Sequence, residues 1–143
     1  MRPPEEVLRE ILGQWIRKAE IDYSAAQQLL EAKDLLREAI AFHCQQAAEK
    51  YLKAFLVRHQ VEPLRTHNLG KLLDQVAGVS ADLAASLADA VALSPYGVDI
   101  RYPGDFPDVL IGGEKPLFDL AHRVREAVMA ELNPFLHDSP PTA

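Results

Sequence analysis

The sequence predicts an all-α protein, an up-and-down helical bundle with three long helices, a short helical pair and a long ordered loop before the last helix. Apolar residues recur at intervals of three and four over three long stretches, the spacing that places them on one face of a helix. Prolines and glycines are concentrated between these stretches. The length of 143 residues fits one domain. We expect this domain to span residues 4–137 and to be followed by a disordered tail at residues 138–143.

The two first helices are expected to be long and antiparallel. The first is predicted from about Pro4 to about Glu31, and the second from a cap at Asp34 to about Gln60. Asp favours a helix start because its short side chain accepts a hydrogen bond from the first free backbone amides. A tight connection between two long helices favours antiparallel packing. The apolar stripe of the first helix consists of Leu8, Leu12, Trp15, Ala19, Tyr23, Ala26 and Leu30.

Two shorter helices are predicted after Pro63. Thr66 is expected to cap a helix from about His67 to Ala77, and Ser80 to cap a helix that ends near Leu93. Both residues carry the hydroxyl group that commonly accepts from the backbone amides of a first helical turn.

The stretch SPYGVDIRYPGDFPDVLIGGEK, residues 94–115, contains three prolines and four glycines, which argues against a helix and predicts a loop. Pro116 suits the first turn of a last helix. We expect Pro134 and the following tail to end that helix. Its apolar stripe consists of Leu117, Leu120, Ala121, Val124, Val128 and Leu132.

Composition and charge narrow the range of functions. The apolar fraction of 48% and the charged fraction of 25% are typical of a soluble globular protein. A net charge of −6 argues against a protein that coats nucleic acid by electrostatics alone. Charge is uneven, however, because the segment from Lys50 to Lys71 carries +4 and the remaining chain −10. A solvated helix face and a contact with an anion or phosphate both explain this segment.

Other features predict the compartment and argue against a cofactor. The single cysteine, Cys44, lies in an apolar helical pattern and is expected to be a buried small hydrophobe in a reducing compartment. The N-terminal stretch has no apolar run, and no window approaches the roughly 20 apolar residues that a membrane span needs. We therefore expect a cytoplasmic protein without a membrane segment. The five histidines show no paired-ligand spacing, so we expect neither a metal site nor a cofactor.

A polar strip borders the apolar face of the second helix, within the sequence FHCQQAAEKYLKAFLV. His43, Gln46 and Lys50 fall within about 60° of one another on a helical wheel, and Glu49 and Lys53 form a pair further round. Border strips of this kind usually meet a neighbouring element or a second subunit. We therefore expect a structural hydrogen-bonding role, with a ligand or catalytic role as the alternative. The adjacent apolar face consists of Ile40, Cys44, Ala47, Ala48, Tyr51, Leu52 and Phe55.

Several motifs in a fixed order resemble the HEPN family, the higher eukaryotes and prokaryotes nucleotide-binding domains. They are AEIDYSAAQQLL after a helix that begins around a Trp, then FHCQQAAEKYLKAFLV, THNLGKLL and YGVDIRYP. The resemblance covers about residues 14–133. It implies a helical bundle that usually dimerises and is often encoded beside a minimal nucleotidyltransferase in toxin-antitoxin or stress and defence modules. Some branches of the family are metal-independent ribonucleases, and others resemble noncatalytic nucleotide- or RNA-binding modules.

The ribonuclease branches carry an Arg, four to six residues, and then a His near the last helices. Arg stabilises the developing phosphoryl charge, and His moves the proton of the ribose 2′-hydroxyl. Here Arg37 and His43 have this spacing, but they lie in an early helix, about 120° apart around its axis and about 9 Å along it. Arg101 has no His within that spacing behind it. We therefore assign no catalytic residue and do not expect an enzyme.

The resemblance implies six candidates for ligand or interface contacts: His43, Gln46, Lys50, His67, Arg101 and Tyr102. Arg101 lies in a loop flanked by proline, where a guanidinium binds either a carboxylate within the fold or a phosphate from outside.

The function that we expect is a homodimeric HEPN-like module that is a binding or regulatory partner of a minimal nucleotidyltransferase and contacts nucleotide or RNA. Two alternatives stay open. One is a metal-independent ribonuclease toxin that uses His43 or His67 with Arg37 or Arg101 across a dimer. The other is a purely structural dimerisation module, in which the polar strip specifies the register of the dimer.

Overall fold

The computed structural model describes residues 4–97 and 108–137, and the regular structure within these ranges is entirely helical. The predicted all-α fold class, with three long helices and a short pair, is confirmed. The elements are α1 (Glu5–Leu30), α2 (Arg37–Arg58), α3 (Leu69–Ala77), α4 (Ala81–Ser86), a 3-10 helix (Ala88–Tyr96) and α5 (Glu114–Leu136).

Helix α2 is the centre of the bundle. It packs against α1, α3, α5 and the 3-10 helix, and more than half of its residues are buried. Its apolar residues therefore occupy most of its circumference, and only a narrow strip reaches the surface. The predicted apolar face of α2 is confirmed, since all seven of its residues are buried: Ile40, Cys44, Ala47, Ala48, Tyr51, Leu52 and Phe55.

The stripes predicted for the other long helices also face the core. In α1 the residues Trp15 and Leu30 are half-buried, and in α5 the residues Leu117 and Leu120 are half-buried. The remaining stripe residues of both helices are buried: Leu8, Leu12, Ala19, Tyr23, Ala26, Ala121, Val124, Val128 and Leu132.

Asp34 does not cap α2, contrary to the sequence prediction. The residue before the helix is Leu36, and its side chain makes no capping hydrogen bond. Leu35 packs against the core while the chain is still irregular, so the helix begins only after it. Tertiary burial therefore overrides the local preference of Asp34 for a helix start.

Thr66 is also not the cap of α3. Asn68 is the cap, because its Oδ1 accepts from the backbone N of Lys71 at 3.1 Å. Thr66 Oγ1 instead accepts from the backbone N of Asn68 at 3.0 Å and holds the preceding turn. The helix consequently begins at Leu69 and not at His67, which places the buried Leu69 at its first position.

Ser80 caps α4 as predicted, but the helix that follows is not continuous to Leu93. It ends at Ser86, and a 3-10 helix then runs through Pro95 to Tyr96. The residues buried in this region are three apart, and a 3-10 helix has three residues per turn. This geometry keeps the buried residues in line, and they are Leu87, Ala90 and Leu93.

Helix α5 begins before Pro116, at Glu114, and continues past Pro134 to Leu136, so the prediction that Pro134 ends it was wrong. Pro134 is exposed, and water can therefore bind the carbonyl group that its missing N–H leaves unpaired.

Most of the predicted loop, residues 98–107, and the predicted tail, residues 138–143, lie outside the described residues. The domain bounds of 4–137 stay a prediction, as does the cytoplasmic location. Within the described ranges, no helix combines the length and the apolar character that crossing a membrane requires.

The two hydrogen bonds before α3 give a direct test of its cap. We expect Asn68→Ala to lower the free energy of unfolding by about 1 kcal/mol, because it leaves a first-turn amide without its acceptor. Thr66→Ala removes only the bond of the preceding exposed turn and is expected to cost less. Urea denaturation of both variants measures the difference in the free energy of unfolding. A larger loss of stability for Thr66→Ala would support Thr66 as the cap of α3, as predicted from the sequence.

Candidate functional site

The predicted polar strip of α2 meets α1 at a buried carboxylate, Asp22, which is 7% exposed. His43 Nδ1 lies 2.9 Å from Asp22 Oδ1, and Lys50 Nζ donates to Asp22 Oδ2. An ionised carboxylate has only acceptor atoms, so His43 donates to Asp22 through Nδ1. One carboxylate of α1 therefore holds two side chains of the strip.

A second buried carboxylate, Glu49, organises the other side of the strip. Its Oε1 accepts from Gln45 Nε2 at 3.1 Å and lies 2.7 Å from His67 Nδ1, and its Oε2 accepts from Lys53 Nζ at 3.2 Å. Glu49 is 4% exposed. The predicted pair of Glu49 and Lys53 is confirmed. The wide contact surface of α2 buries Glu49 as well.

Two glutamines extend the Glu49 cluster along α2 towards His43 and Lys50. Gln45 is completely buried and donates to the backbone O of His67 at 3.0 Å, and Gln46 Nε2 donates to Gln45 Oε1 at 2.7 Å. Gln46 lies one helical turn from both His43 and Lys50. We call the whole set the α2 polar network: Asp22, His43, Gln45, Gln46, Glu49, Lys50, Lys53 and His67.

The α2 polar network satisfies its buried groups internally. Two carboxylates face two lysines, and each carboxylate also has a histidine nitrogen within hydrogen-bond distance. Among the described residues, no buried side-chain nitrogen or oxygen lacks a hydrogen-bond partner. Four of the six candidates, His43, Gln46, Lys50 and His67, belong to this network. The sequence-based expectation of hydrogen bonding to a neighbouring element fits this arrangement.

Sequence reasoning missed Asp22 and Gln45, although both left a signal. Asp22 occupies a position of the α1 stripe, three residues after Ala19 and four before Ala26. A carboxylate at a core position predicts a partner across the helix interface, since a buried charge without one is costly. On a helical wheel, Gln45 lies on the opposite side of α2 from Lys50 and His43. This position indicates that its side-chain amide is buried.

Arg37 and His43 have the Arg–His spacing of the ribonuclease branches. They bind different carboxylates. Arg37 Nε donates to Glu114 Oε2 at 3.2 Å, at the start of α5, whereas His43 binds Asp22 of α1. This agrees with the expectation that the two do not act together within one chain. The other two candidates, Arg101 and Tyr102, lie outside the described residues.

The end of the 3-10 helix closes over the α2 polar network. A Cβ atom at Gly97 would lie 2.2–2.4 Å from the amide atoms of Gln45, closer than any side chain tolerates. Ser94 Oγ accepts from the backbone N of Leu69 at 2.9 Å and fixes the same segment to α3. The chain therefore reaches residue 97 in a defined position against α2.

Cys44 is buried in the core, as predicted, and burial raises the pKa of its thiol to about 12. The thiol is therefore protonated at neutral pH and is a poor nucleophile. Among residues 4–97 and 108–137, no group of three His, Cys, Asp or Glu side chains is placed to hold a metal ion.

A separate, partly buried contact joins the three long helices. Glu20 Oε1 of α1 accepts from Tyr51 Oη of α2 at 2.8 Å and from Arg125 Nε of α5 at 2.8 Å. Burial, followed by the hydrogen bond to Glu20, raises the pKa of Tyr51. The hydrogen bond to Glu20 raises the pKa of Arg125. We call this contact the Glu20 triad.

Comparison with protein-family models gives a match to the HEPN domain over residues 12–130. The chain belongs to the HEPN family. The matched range includes every residue of the α2 polar network, so the network lies within the HEPN domain itself. Searches among curated proteins and among solved structures found no match. HEPN membership makes the protein a helical module of a nucleotide- or RNA-related family.

The central position of Asp22 in the HEPN domain leads to a prediction about stability. We expect Asp22→Asn to lower the free energy of unfolding by about 1–3 kcal/mol, because Lys50 and His43 lose the charged acceptor that they share. The measurement is chemical denaturation near neutral pH. Asp119→Asn is the matched control, since Asp119 pairs with Lys115 on the surface, and we expect it to change stability by less than about 0.5 kcal/mol. Equal losses in both variants would contradict the structural role of Asp22.

The close approach of Gly97 to Gln45 leads to a second prediction. Gly97→Ala should destabilise the protein by about 1–3 kcal/mol, because the new methyl group displaces the buried amide and its hydrogen bonds. Gly13→Ala is the control, since the Cβ there meets only the mobile end of Arg17 at 3.3 Å. In the middle of α1 this control should stabilise the protein by about 0.5–1 kcal/mol. Thermal unfolding of both variants should therefore shift in opposite directions, and a neutral Gly97→Ala would show that the segment moves freely.

Proposed function

We propose that this protein is a noncatalytic, homodimeric HEPN module that is a binding and regulatory partner of a minimal nucleotidyltransferase in a toxin-antitoxin or stress and defence system. One observation carries the proposal. Each candidate Arg or His among the described residues has a carboxylate partner inside the fold: Arg37 with Glu114, His43 with Asp22 and His67 with Glu49. Side chains held in this way fix a surface for recognition, whereas RNA cleavage requires an Arg on the phosphate.

The exposed edge of the α2 polar network supports a contact with nucleotide or RNA. His43 and Lys50 keep 31% and 24% of their side-chain surface accessible, and Asp22 orients both. Side chains oriented in this way bind a phosphate at a smaller entropic cost than mobile surface lysines. They lie in or next to the segment from Lys50 to Lys71, which carries +4 in a protein with a net charge of −6.

A ribonuclease is the second candidate function, and the Asp22–His43 pair favours it. A carboxylate on Nδ1 fixes the imidazole tautomer and stabilises the imidazolium, which is how an Asp supports a general base. In this version His43 removes the 2′-hydroxyl proton through Nε2, and an Arg from a second subunit neutralises the phosphate. That Arg is one other than Arg37, because Arg37 binds Glu114 in every copy of the chain.

The experiment that separates the two candidates compares RNA cleavage with nucleotide binding. The full-length, metal-stripped protein is incubated with a single-stranded RNA pool and is titrated with ATP in a calorimeter. We expect no cleavage above background and weak ATP binding, with Lys50→Met raising Kd by about tenfold because it removes an oriented cation. Lys115→Met on α5 is the control and should leave ATP binding unchanged.

Cleavage by the wild-type protein that disappears in His43→Ala would support the ribonuclease and contradict the proposal. The partner is tested by affinity purification of the tagged protein from native lysate, followed by mass spectrometry. If no nucleotidyltransferase is recovered and ATP does not bind, the proposed regulatory role is contradicted. Sedimentation of the purified protein as a monomer at micromolar concentration would contradict the proposed homodimer.

A further inference from the structure

One end of the bundle exposes large aliphatic side chains. Leu36, in the connection between α1 and α2, is 59% exposed, and Leu110 and Ile111, just before α5, are 76% and 88% exposed. Groups of large aliphatic side chains with this much solvent exposure are typical of surfaces that bind another molecule. We call this region, the α1–α2 connection together with residues 108–111, the bundle-end face.

The two parts of the bundle-end face adjoin each other. An open cavity of about 550 Å³ is lined by Leu36 from one side and by Val109 from the other. A second cavity of about 430 Å³ is lined by Leu30 and Phe118, and Leu35 lines both cavities. The two cavities therefore meet at Leu35, and apolar side chains alternate with charged ones in their linings.

An ion pair fixes the shape of this surface. Arg37, which lines the first cavity, donates to Glu114, which lines the second. Glu114 is 7% exposed and the Arg37 side chain keeps 30% of its surface accessible, so this contact is partly buried. The recesses are consequently held by the first residues of α2 and α5 and are present before any partner binds.

The rim of the bundle-end face is acidic. Four exposed carboxylates surround it, and none of them has a hydrogen-bond or ion-pair partner among residues 4–97 and 108–137: Glu31, Asp34, Glu38 and Asp108. The nearby cations are Lys33, Arg37 and Lys115, of which Arg37 already pairs with Glu114 and Lys115 with Asp119. The described rim thus presents an excess of negative charge around an apolar centre.

We propose that the bundle-end face binds a basic amphipathic segment of another protein. Apolar side chains of that segment cover Leu36, Leu110 and Ile111, and its Lys or Arg side chains meet the rim carboxylates. A second copy of this chain would set one acidic rim against another in a two-fold dimer. Anionic membranes are repelled by the same charges. The inference is independent of the proposed function, because this face lies apart from the α2 polar network.

The test uses a defined probe and the full-length protein. The probe is a fluorescent peptide of about 18 residues with Leu at helical spacing and Lys elsewhere, long enough for about five turns of helix. We expect saturable binding in fluorescence anisotropy, and Leu110→Ser/Ile111→Ser should raise Kd at least about tenfold, since it removes the apolar anchors. Glu38→Gln/Asp108→Asn should raise Kd by about threefold and reduce its salt dependence.

Matched variants control for the general attraction of a cation to an acidic protein. Val79→Ser/Val91→Ser removes exposed apolar groups elsewhere, and Asp74→Asn/Asp82→Asn removes exposed carboxylates of α3 and α4. Both should bind the peptide like the wild type. A peptide of the same composition with its leucines dispersed should bind much more weakly.

Three outcomes would overturn the proposal. They are equal binding by the Leu110→Ser/Ile111→Ser variant, equal binding of the dispersed peptide, and a change in the oligomeric state of that variant in sedimentation. The last would assign the face to contact between copies of this chain. Circular dichroism and thermal unfolding verify that each variant is folded, which we expect because the substituted side chains are exposed.

Discussion

The burial of α2 is the constraint on which the rest of the structure depends. A helix that contacts other elements on most of its circumference buries many of its polar groups, and each buried group must find a partner within the protein. Asp22 of α1 provides the acceptor for His43 and Lys50, and Glu49 accepts from Gln45 on the same helix. The α2 polar network is therefore a consequence of the position of α2, and its residues are as structural as the core beside them.

Ionic contacts also specify how the other helices meet α2. The Glu20 triad joins α1, α2 and α5 through one carboxylate, and Arg37 joins the start of α2 to the start of α5. Apolar packing alone tolerates small shifts along a helix axis, whereas a carboxylate with directed, partly buried donors favours one register. The contacts lie near the middle of the bundle and at one end, so together they fix both the rotation and the axial position of the long helices.

The sequence was sufficient for features that depend on local periodicity, and insufficient for those that depend on a neighbour in space. The apolar stripes were predicted correctly because burial follows the helical repeat. Asp34 and Thr66 were wrong as caps, since the burial of Leu35 and Leu69 decides where each helix begins. The strip His43–Lys50 was visible in the sequence, but its partner Asp22 is on another helix and could be inferred only from its place in the α1 stripe.

The contacts of Lys50 and His43 with Asp22 limit how a ligand can bind the α2 polar network. An anion that draws Lys50 away from Asp22 leaves a buried carboxylate with one donor fewer, so part of the binding energy is lost to the fold. A ligand that approaches His43 at Nε2 leaves the Nδ1 contact to Asp22 intact. Recognition through the outer edge of His43 therefore costs the protein less than recognition through Lys50. A ligand that engages both must supply enough interaction to offset the weakened contact between α1 and α2.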